Sequence, residues 1–461
     1  MPILGAYIVP HPPVIVSEVG QGKEKEIQKT IDAYEEVAKR IAKSDPETII
    51  VITPHAILYS DYIHISPGVG SNGSLRKFGA PSVSVQAPYD IDLVSAISFA
   101  ASEAGIPAGT MGEKDNTLDH GTLVPLYFIN HHLKHYNLVR IAISGLSREE
   151  HYNFGICLKN AVDEIGRSVV IVASGDLSHK LSSDGPYTYA EEGPIFDREI
   201  TRAMEEADFL KFLNIEEELY NAAGECGLNS FIIMAGALDK TSVEADLLSY
   251  EGPFGVGYAV CAYKVLGQDP SRDFGVQSKT SLSDHLVKIK ENEDPYVKLA
   301  RQALETYVLS GKTMELPKNT PTELLEKRAG TFVTIKKNGR LRGCIGTIGP
   351  TEPTIAEEII RNAISSAASD FRFPQVAKEE LAQLVYSVDV LSTPEPVQNR
   401  GQLDVKRYGV IATSGRKRGL LLPNLENVST VDEQISIALQ KGSISPDAAY
   451  NLERFEVVRH H

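Results

Sequence analysis

The 461-residue sequence contains no tryptophan and only four cysteines, and no two cysteines are spaced as CxxC. Isolated cysteines in a chain of this length do not form a disulfide framework, so reduced thiols are expected. No stretch reaches the roughly 18 consecutive apolar residues of a membrane span, and Met1 is not followed by a basic leader and an apolar run. The sequence therefore predicts a cytoplasmic protein without a membrane partner.

Negative charge is distributed unevenly along the chain. Residues 1–290 contain 24 Lys and Arg against 39 Asp and Glu, whereas residues 291–461 contain 22 of each. The acidic excess argues against phosphate-backbone binding by the first part. The second part has a basic cluster at 416–418, but it is neutral overall and lacks a motif in which aromatic and basic residues alternate. No nucleic-acid partner is expected, and the asymmetry indicates two units of different character.

Short apolar runs alternate with helix-period segments in residues 1–267. The apolar runs resemble buried strands and lie at 3–9, 48–53, 138–144 and 168–173. Segments such as 24–42 and 151–165 place apolar residues on one helical stripe. This alternation predicts an α/β domain with a central, mostly parallel sheet flanked by helices.

Residues 268–290 are polar, rich in turn residues and without a clear period, so they are predicted to be a linker. Residues 291–461 begin with a helix-period segment at 295–309. Two strand-like runs then flank an Asn338-Gly339 pair, which is a strong hairpin signal. The predicted second domain is a smaller α+β unit.

Two histidines follow predicted strands, in Pro10-His11-Pro12 and Pro54-His55-Ala56. Ligands of α/β sheets gather at the carboxyl ends of strands, and proline restricts the backbone that orients each imidazole. A single histidine in such a place is more often a loop residue, but two of them favour a site.

Two further histidines lie in polar contexts. Asp119-His120-Gly121 opens a helix-like segment, and His179 follows the predicted strand that ends at Ala173. For His120, an N-cap aspartate with a neighbouring turn histidine is the simpler interpretation. His179 again follows a strand, which would allow four histidines to meet at one edge of the sheet.

Glu225-Cys226 precedes an apolar helix-like run. A carboxylate there can simply complement a helix dipole. Combined with two strand-end histidines, Glu225 would complete a two-histidine, one-carboxylate triad that leaves open positions on Fe(II). Cys226 is the competing third ligand, and a softer histidine–cysteine set would favour zinc or copper.

These residues carry a family resemblance. From His11 to about Leu266 the chain resembles the LigB-type class III extradiol dioxygenases, a superfamily that also contains the Memo proteins. The matching motifs, in order, are His11-Pro12, Pro54-His55, Asp119-His120-Gly121, Ser178-His179 and Glu225-Cys226.

The resemblance implies that His11, His55 and Glu225 hold iron, and that His179 and His120 move protons during opening of a catechol- or aminophenol-like ring by O2. The Memo branch implies a cysteine ligand instead, for which Cys226 is the candidate, and a metal-binding or scaffold protein without ring cleavage.

A second signature lies at 339–346, GRLRGCIG. It resembles the AMMECR-type domain, and the resemblance runs from about Asp294 to Phe455. Together the two resemblances imply the AmmeMemoRadiSam set, whose radical-SAM protein would be a pathway partner; this chain has no CxxxCxxC of its own.

Strand alternation would place Arg340, Arg342 and Cys344 on one face of a strand. A thiol beside guanidinium groups would be reactive, which makes Arg342 and Cys344 a possible second site. The alternative is a buried strand cysteine with solvated arginines.

Overall fold

The computed structural model describes residues 2–112, 117–337, 339–425 and 428–461. The chain divides into two compact units, with the division between Thr280 and Ser281. Among the residues that the structure describes, no helix combines the length and the apolar character needed to cross a membrane.

A six-stranded sheet organises the first unit. The strands of this unit are β1 (Ile3–Val9), β2 (Thr48–Thr53), β3 (Ile63–His64), β4 (Gly70–Leu75), β5 (Ala80–Pro88), β6 (Ala108–Gly109), β7 (Asn137–Ala142), β8 (Val169–Ser174), β9 (Thr241–Glu251) and β10 (Tyr258–Gln268). The order in the large sheet is β7-β2-β8-β1-β10-β9. The first four are mutually parallel, whereas β10 is antiparallel to both of its neighbours.

Helices cover both faces of this sheet. They are α1 (Ser17–Gly20), α2 (Gln28–Ser44), α3 (Ile91–Glu103), α4 (His120–His132), α5 (Arg148–Ile165), α6 (Glu192–Glu206), α7 (Phe209–Asn214), α8 (Glu217–Ala223) and α9 (Leu228–Ala237). A further helix, α10 (Phe274–Asn292), begins in the first unit and contains the division between the two units. Alternate residues of β2 enter two separate cores: Ile50 and Ile52 enter one, and Ile49 and Val51 enter the other. Burial on both faces explains the continuous apolar runs, and the predicted α/β fold is confirmed.

The segment 268–290 differs from the sequence prediction, because most of it is helical. Helix α10 begins at Phe274, and the Phe274 ring packs against Phe209 with ring centroids 5.7 Å apart. A single buried aromatic residue anchors this end of the helix to the core of the first unit. The residues around Phe274 are mostly polar, so the sequence shows no helical period of apolar residues in this segment.

The second unit is α+β, as predicted. Its strands are β11 (Thr331–Lys337), β12 (Arg340–Gly346), β13 (Leu384–Leu391), β14 (Glu395–Val397), β15 (Gly409–Ser414), β16 (Lys417–Leu421), β17 (Asn451–Phe455) and β18 (Val457–His460), and its helices are α11 (Pro295–Ser310), α12 (Thr322–Glu326), α13 (Ile355–Ala368) and α14 (Val431–Lys441). The strands form two antiparallel sheets, β12-β11-β13-β18 and β14-β17-β15-β16. Strands β11 and β12 pair as the hairpin signal predicts, although Asn338 itself lies outside the described residues.

Candidate metal centre

His11 and His55 meet at the carboxyl end of the parallel sheet. Each lies two residues beyond the end of its strand, β1 or β2. Their Nε2 atoms are 2.9 Å apart, and their rings are nearly perpendicular, at 86°. The structure therefore brings the two strand-end histidines together at one edge of the sheet.

The end of β8 fixes the orientation of His11. The backbone N–H of His11 donates to Asp176 Oδ1 at 2.8 Å, and its Nδ1 lies 2.9 Å from the Ser174 hydroxyl. With Nδ1 engaged, Nε2 faces His55. Burial, and then the charges of the neighbouring histidines, lower the pKa of His11 well below its usual value, so the ring is neutral and able to act as a metal ligand.

Cys226 supplies the third donor of this cluster. Its Sγ atom lies 3.6 Å from His11 Nε2 and accepts from the backbone N–H of Asp176 at 3.4 Å. The close approach depends on Gly175, because a Cβ atom there would lie 2.1 Å from the Cα of Gly227. The loop after β8 and the start of α9 can thus touch, which brings the thiol to the histidine.

The carboxylate of Glu225 is hydrogen-bonded to the start of α9 and does not join the histidine cluster. Its Oε2 atom accepts from the backbone N–H of Leu228 at 2.6 Å, which stabilises the helix terminus. Burial raises the pKa of Glu225 to about 7. The structure does not bring Glu225 to the histidines as predicted, because adjacent side chains leave the backbone in different directions and only Cys226 faces His11. The structure therefore brings together the alternative set of donors, which is His11, His55 and Cys226.

His120 and His179 lie beside this cluster in different ways. The ring of His120, the first residue of α4, stacks on His55 at 4.1 Å between centroids. Asp119 caps the helix, as the simpler interpretation predicted, and burial lowers the pKa of His120 to about 4. His179 is more distant: its ring stacks on Tyr187 at 5.1 Å, although its charge contributes to the lowered pKa of His11.

The cluster is open to solvent on one side. His11 is buried, Cys226 is half-buried and His55 is exposed. Two exposed aromatic residues flank this opening: Phe78, with its edge towards His120, and Tyr187 on His179. A small molecule can therefore approach from the side of His55.

The donor set fits a metal ion. One ligand atom from each of His11, His55 and Cys226 lies within 4.8 Å of the other two. On a tetrahedral ion, metal–nitrogen bonds of about 2.0–2.1 Å and a metal–sulfur bond of about 2.3 Å place nitrogen and sulfur roughly 3.5 Å apart. The separation of His11 Nε2 and Cys226 Sγ is 3.6 Å. The two Nε2 atoms, 2.9 Å apart, are closer than the roughly 3.4 Å that the same bond lengths require, so the two rings would separate slightly around a bound ion. A bound cation would also compensate the burial that raises the pKa of the Cys226 thiol.

Ser174 and Asp176 are site residues that the sequence reasoning missed. Both belong to the stretch Ser174-Gly175-Asp176 that follows the predicted strand, so the strand-end argument applied to His11 and His55 would have found them. Asp176 is buried, and burial raises its pKa to about 7. Its carboxylate accepts from the backbone N–H of His11, and its own backbone N–H donates to Cys226 Sγ, so Asp176 joins two of the three donors.

The possible second site, around Cys344, differs in geometry from the sequence expectation. The pairing of β11 with β12 shifts between Ile335 and Lys336, so that Ile335 faces Gly343 but Lys336 faces Leu341. A bulge of this kind inserts an extra residue and reverses the alternation beyond it. Arg340 and Cys344 therefore do not share a face, and Leu341 is 41% exposed.

The arginine beside Cys344 is not the predicted one. Arg342 forms a two-point ion pair with Glu380 at 3.0 and 2.8 Å, which lowers the pKa of Glu380 to about 2. Arg372 instead donates to the backbone carbonyl of Cys344 at 3.2 Å. The Sγ atom of Cys344 lies 3.2 Å from the Thr334 hydroxyl.

We expect Cys344 to react first when a limiting amount of iodoacetamide is added at neutral pH. Burial raises the pKa of the other three thiols, to about 12 for Cys261 and well above the usual value for Cys226, and a protonated thiol is a poor nucleophile. Peptide mapping by mass spectrometry measures the order of labelling, with Cys344→Ser as the control. Labelling of Cys344 only after unfolding would contradict a reactive second site.

The first unit is thus an α/β domain with a candidate metal centre at the carboxyl ends of its parallel strands. Residues 5–261 match the family described as the catalytic LigB subunit of aromatic ring-opening dioxygenase, and the chain belongs to this family. Residues 297–460 match the AMMECR1 family, so the predicted fusion of the two domain types is confirmed.

Similar proteins share one or both domains. The chain is 43% identical to Protein CA_C1420 of Clostridium acetobutylicum over 468 residues, which cover 100% of this chain and 99% of that protein. It is 50% identical over 170 residues to a protein of Thermotoga maritima, covering 36% of this chain and 98% of the relative. The crystal structure of Protein PH0010 from Pyrococcus horikoshii aligns with 36% of this chain and 88% of its own, at 36% identity and a TM-score of 0.34.

Proposed function

We propose that the first unit is a metal-binding protein whose centre consists of His11, His55 and Cys226. The observation that carries the proposal is the approach of two imidazole nitrogens and one thiol sulfur to within 4.8 Å of each other. Imidazole and thiolate donors together favour zinc or copper over the harder ions that prefer oxygen ligands. This is the donor set of the Memo-like alternative, in which ring cleavage does not occur.

A second candidate function is extradiol ring cleavage of a catechol- or aminophenol-like substrate with O2. It is favoured by the LigB family match and by His120 and His179, the two histidines that lie beside the metal-binding cluster. Iron bound at such a site would activate the ring and dioxygen. His120, which is neutral at physiological pH because its pKa is lowered to about 4, would accept a proton from a bound hydroxyl group. This candidate requires the Glu225 carboxylate to leave the start of α9.

Metal reconstitution separates the two candidates. The full chain is prepared anaerobically without metal and loaded separately with Fe(II), Zn(II) and Cu(I). The metal that each form retains is quantified after gel filtration. Each form is then supplied with a panel of catechols and aminophenols in air. We expect stoichiometric zinc or copper and no ring-opened product. Ring-opened product from the iron-loaded protein would replace the first candidate by the second.

Replacement of His179 by alanine should leave metal content unchanged, since this ring lies outside the donor cluster. In any ring-cleaving form, the loss of a proton-transferring imidazole should lower the rate by about 10²–10⁴-fold. Metal analysis and the same substrate panel measure both effects, with His131→Ala, a replacement at an exposed histidine of α4, as the control. Loss of metal from His179→Ala would identify His179 as a ligand.

Partnership with a radical-SAM protein of the AmmeMemoRadiSam set stays a prediction from family resemblance. Co-purification of the full chain with such a protein from one host, followed by gel filtration, would test it directly.

A further inference from the structure

A buried arginine lies in the strand next to the one that carries His55. Arg140 is in β7 and is 1% exposed. Its Nε donates to the Ser66 hydroxyl at 2.6 Å, and its Nη1 donates to the carbonyl of Thr117 at 2.7 Å. Burying a guanidinium group is costly unless it is paired, so its partners indicate what the arginine stabilises.

Among the described residues, Asp119 is a carboxylate partner of Arg140. Nη1 of Arg140 lies 3.6 Å from Asp119 Oδ2, and both side chains are almost fully buried. Asp119 in turn accepts from the Thr53 hydroxyl at 2.7 Å and from the backbone N–H and hydroxyl of Thr122 at 3.1 and 2.9 Å. One carboxylate thus ties the end of β2 to the first turn of α4.

One of the tied elements leads to His55 of the candidate metal centre, and the other begins with His120, which stacks on His55. The Thr53 hydroxyl accepts from the backbone N–H of His55 at 3.2 Å, and His120 directly follows Asp119 in the chain. Space for this hydroxyl exists because residue 121 is glycine: a Cβ there would lie 2.4 Å from Thr53 Oγ1. The stacked arrangement of His55 and His120, 4.1 Å apart, therefore depends on the contacts of Asp119.

We propose that Arg140 is a positioning residue for the metal centre: through Asp119 and Thr53, its buried guanidinium group holds His55 and His120 in their stacked orientation. The inference rests on the proposed metal-binding function. It assigns a role to a residue that belongs to none of the histidine or cysteine motifs. Residues that orient ligands without touching the metal typically contribute about 10–100-fold to metal affinity.

Cobalt(II) binding to the full chain tests this role. We expect Arg140→Met to weaken Co(II) binding by about 10–100-fold and to alter the visible and near-ultraviolet bands of the bound ion, which report ligand geometry and the thiolate contact. Arg140→Lys keeps the charge beside Asp119 and should restore part of the affinity. The matched control is Arg167→Met, which removes an arginine paired with Asp90 at 3.1 Å just before β8, at the amino end of the same sheet.

The controls separate a positioning role from general destabilisation. Arg167→Met should lower the melting temperature without changing Co(II) affinity or spectrum. Equal effects of Arg140→Met and Arg167→Met on Co(II), or wild-type affinity and spectrum in Arg140→Met, would overturn the proposal.

If the wild-type protein binds no Co(II), the proposed function fails, but the positioning of the histidines can still be measured. Diethyl pyrocarbonate labelling mapped by mass spectrometry should then show faster modification of His55 and His120 in Arg140→Met, relative to the exposed His131. Unchanged rates would contradict the role of Arg140 independently of any metal.

Discussion

Replacing Cys226 with alanine should lower the affinity for zinc by more than the 10–100-fold typical of residues that only orient ligands. The thiol is one of three donors in the cluster, and its removal leaves two imidazoles, which bind a divalent ion weakly. Isothermal titration of the metal-free full chain with zinc, followed by metal analysis after gel filtration, measures the loss.

Glu225→Gln provides the matched control, since it alters the adjacent residue. The glutamine side-chain oxygen can still accept from the backbone N–H of Leu228 at the start of α9, so the helix remains capped. We expect zinc affinity close to that of the wild type. The reverse pattern, with metal lost from Glu225→Gln and kept by Cys226→Ala, would identify the carboxylate as the ligand.

Substitution of Gly155 by alanine should destabilise the first unit by about 1–3 kcal/mol or more, as overpacking of a rigid core does. A Cβ atom on Gly155 of α5 would lie 2.1 Å from the carbonyl oxygen of Ile233 and 2.8 Å from the backbone nitrogen of Ala237. Both atoms belong to the backbone of α9, so no side chain can rotate away and the helices must separate. The cost should exceed the gain of about 1 kcal/mol that alanine brings over glycine within a helix.

Urea unfolding of the full chain, followed by circular dichroism, measures this loss, and Gly267→Ala in β10 is the control. A Cβ atom at Gly267 meets nothing within 4 Å, so that variant should be close to wild type. Because α9 begins two residues after Cys226, Gly155→Ala should also weaken zinc binding. A Gly155→Ala protein as stable as Gly267→Ala would show that the two helices do not pack as closely as described.

The sequence predicted the fold well because the signals were strong and local. Strand β2 is buried on both faces and reads as a continuous apolar run, TIIVIT. Parallel strands place their carboxyl ends at one edge, so the positions of His11 and His55 just after β1 and β2 were enough to predict that they meet.

The third donor could not be predicted in the same way. Glu225 and Cys226 are neighbours, and which side chain faces His11 depends on how α9 begins and on the close contact of Gly175 with Gly227. The bulge opposite Ile335 and Lys336 could not be predicted from the alternation of side chains along one strand, because it exists only in the pairing of two strands. The segment 268–290 is held by contacts with distant parts of the chain, such as Phe274 with Phe209 and Lys279 with Glu149, which the local sequence does not reveal.

X-ray absorption spectroscopy of the full chain loaded with one equivalent of zinc tests the central claim most directly, because sulfur and nitrogen or oxygen neighbours give distinct scattering. We expect one sulfur at about 2.3 Å together with imidazole nitrogens at about 2.0–2.1 Å, and loss of the sulfur contribution in Cys226→Ala. A first shell of nitrogen and oxygen alone in the wild-type protein would contradict a centre built from His11, His55 and Cys226.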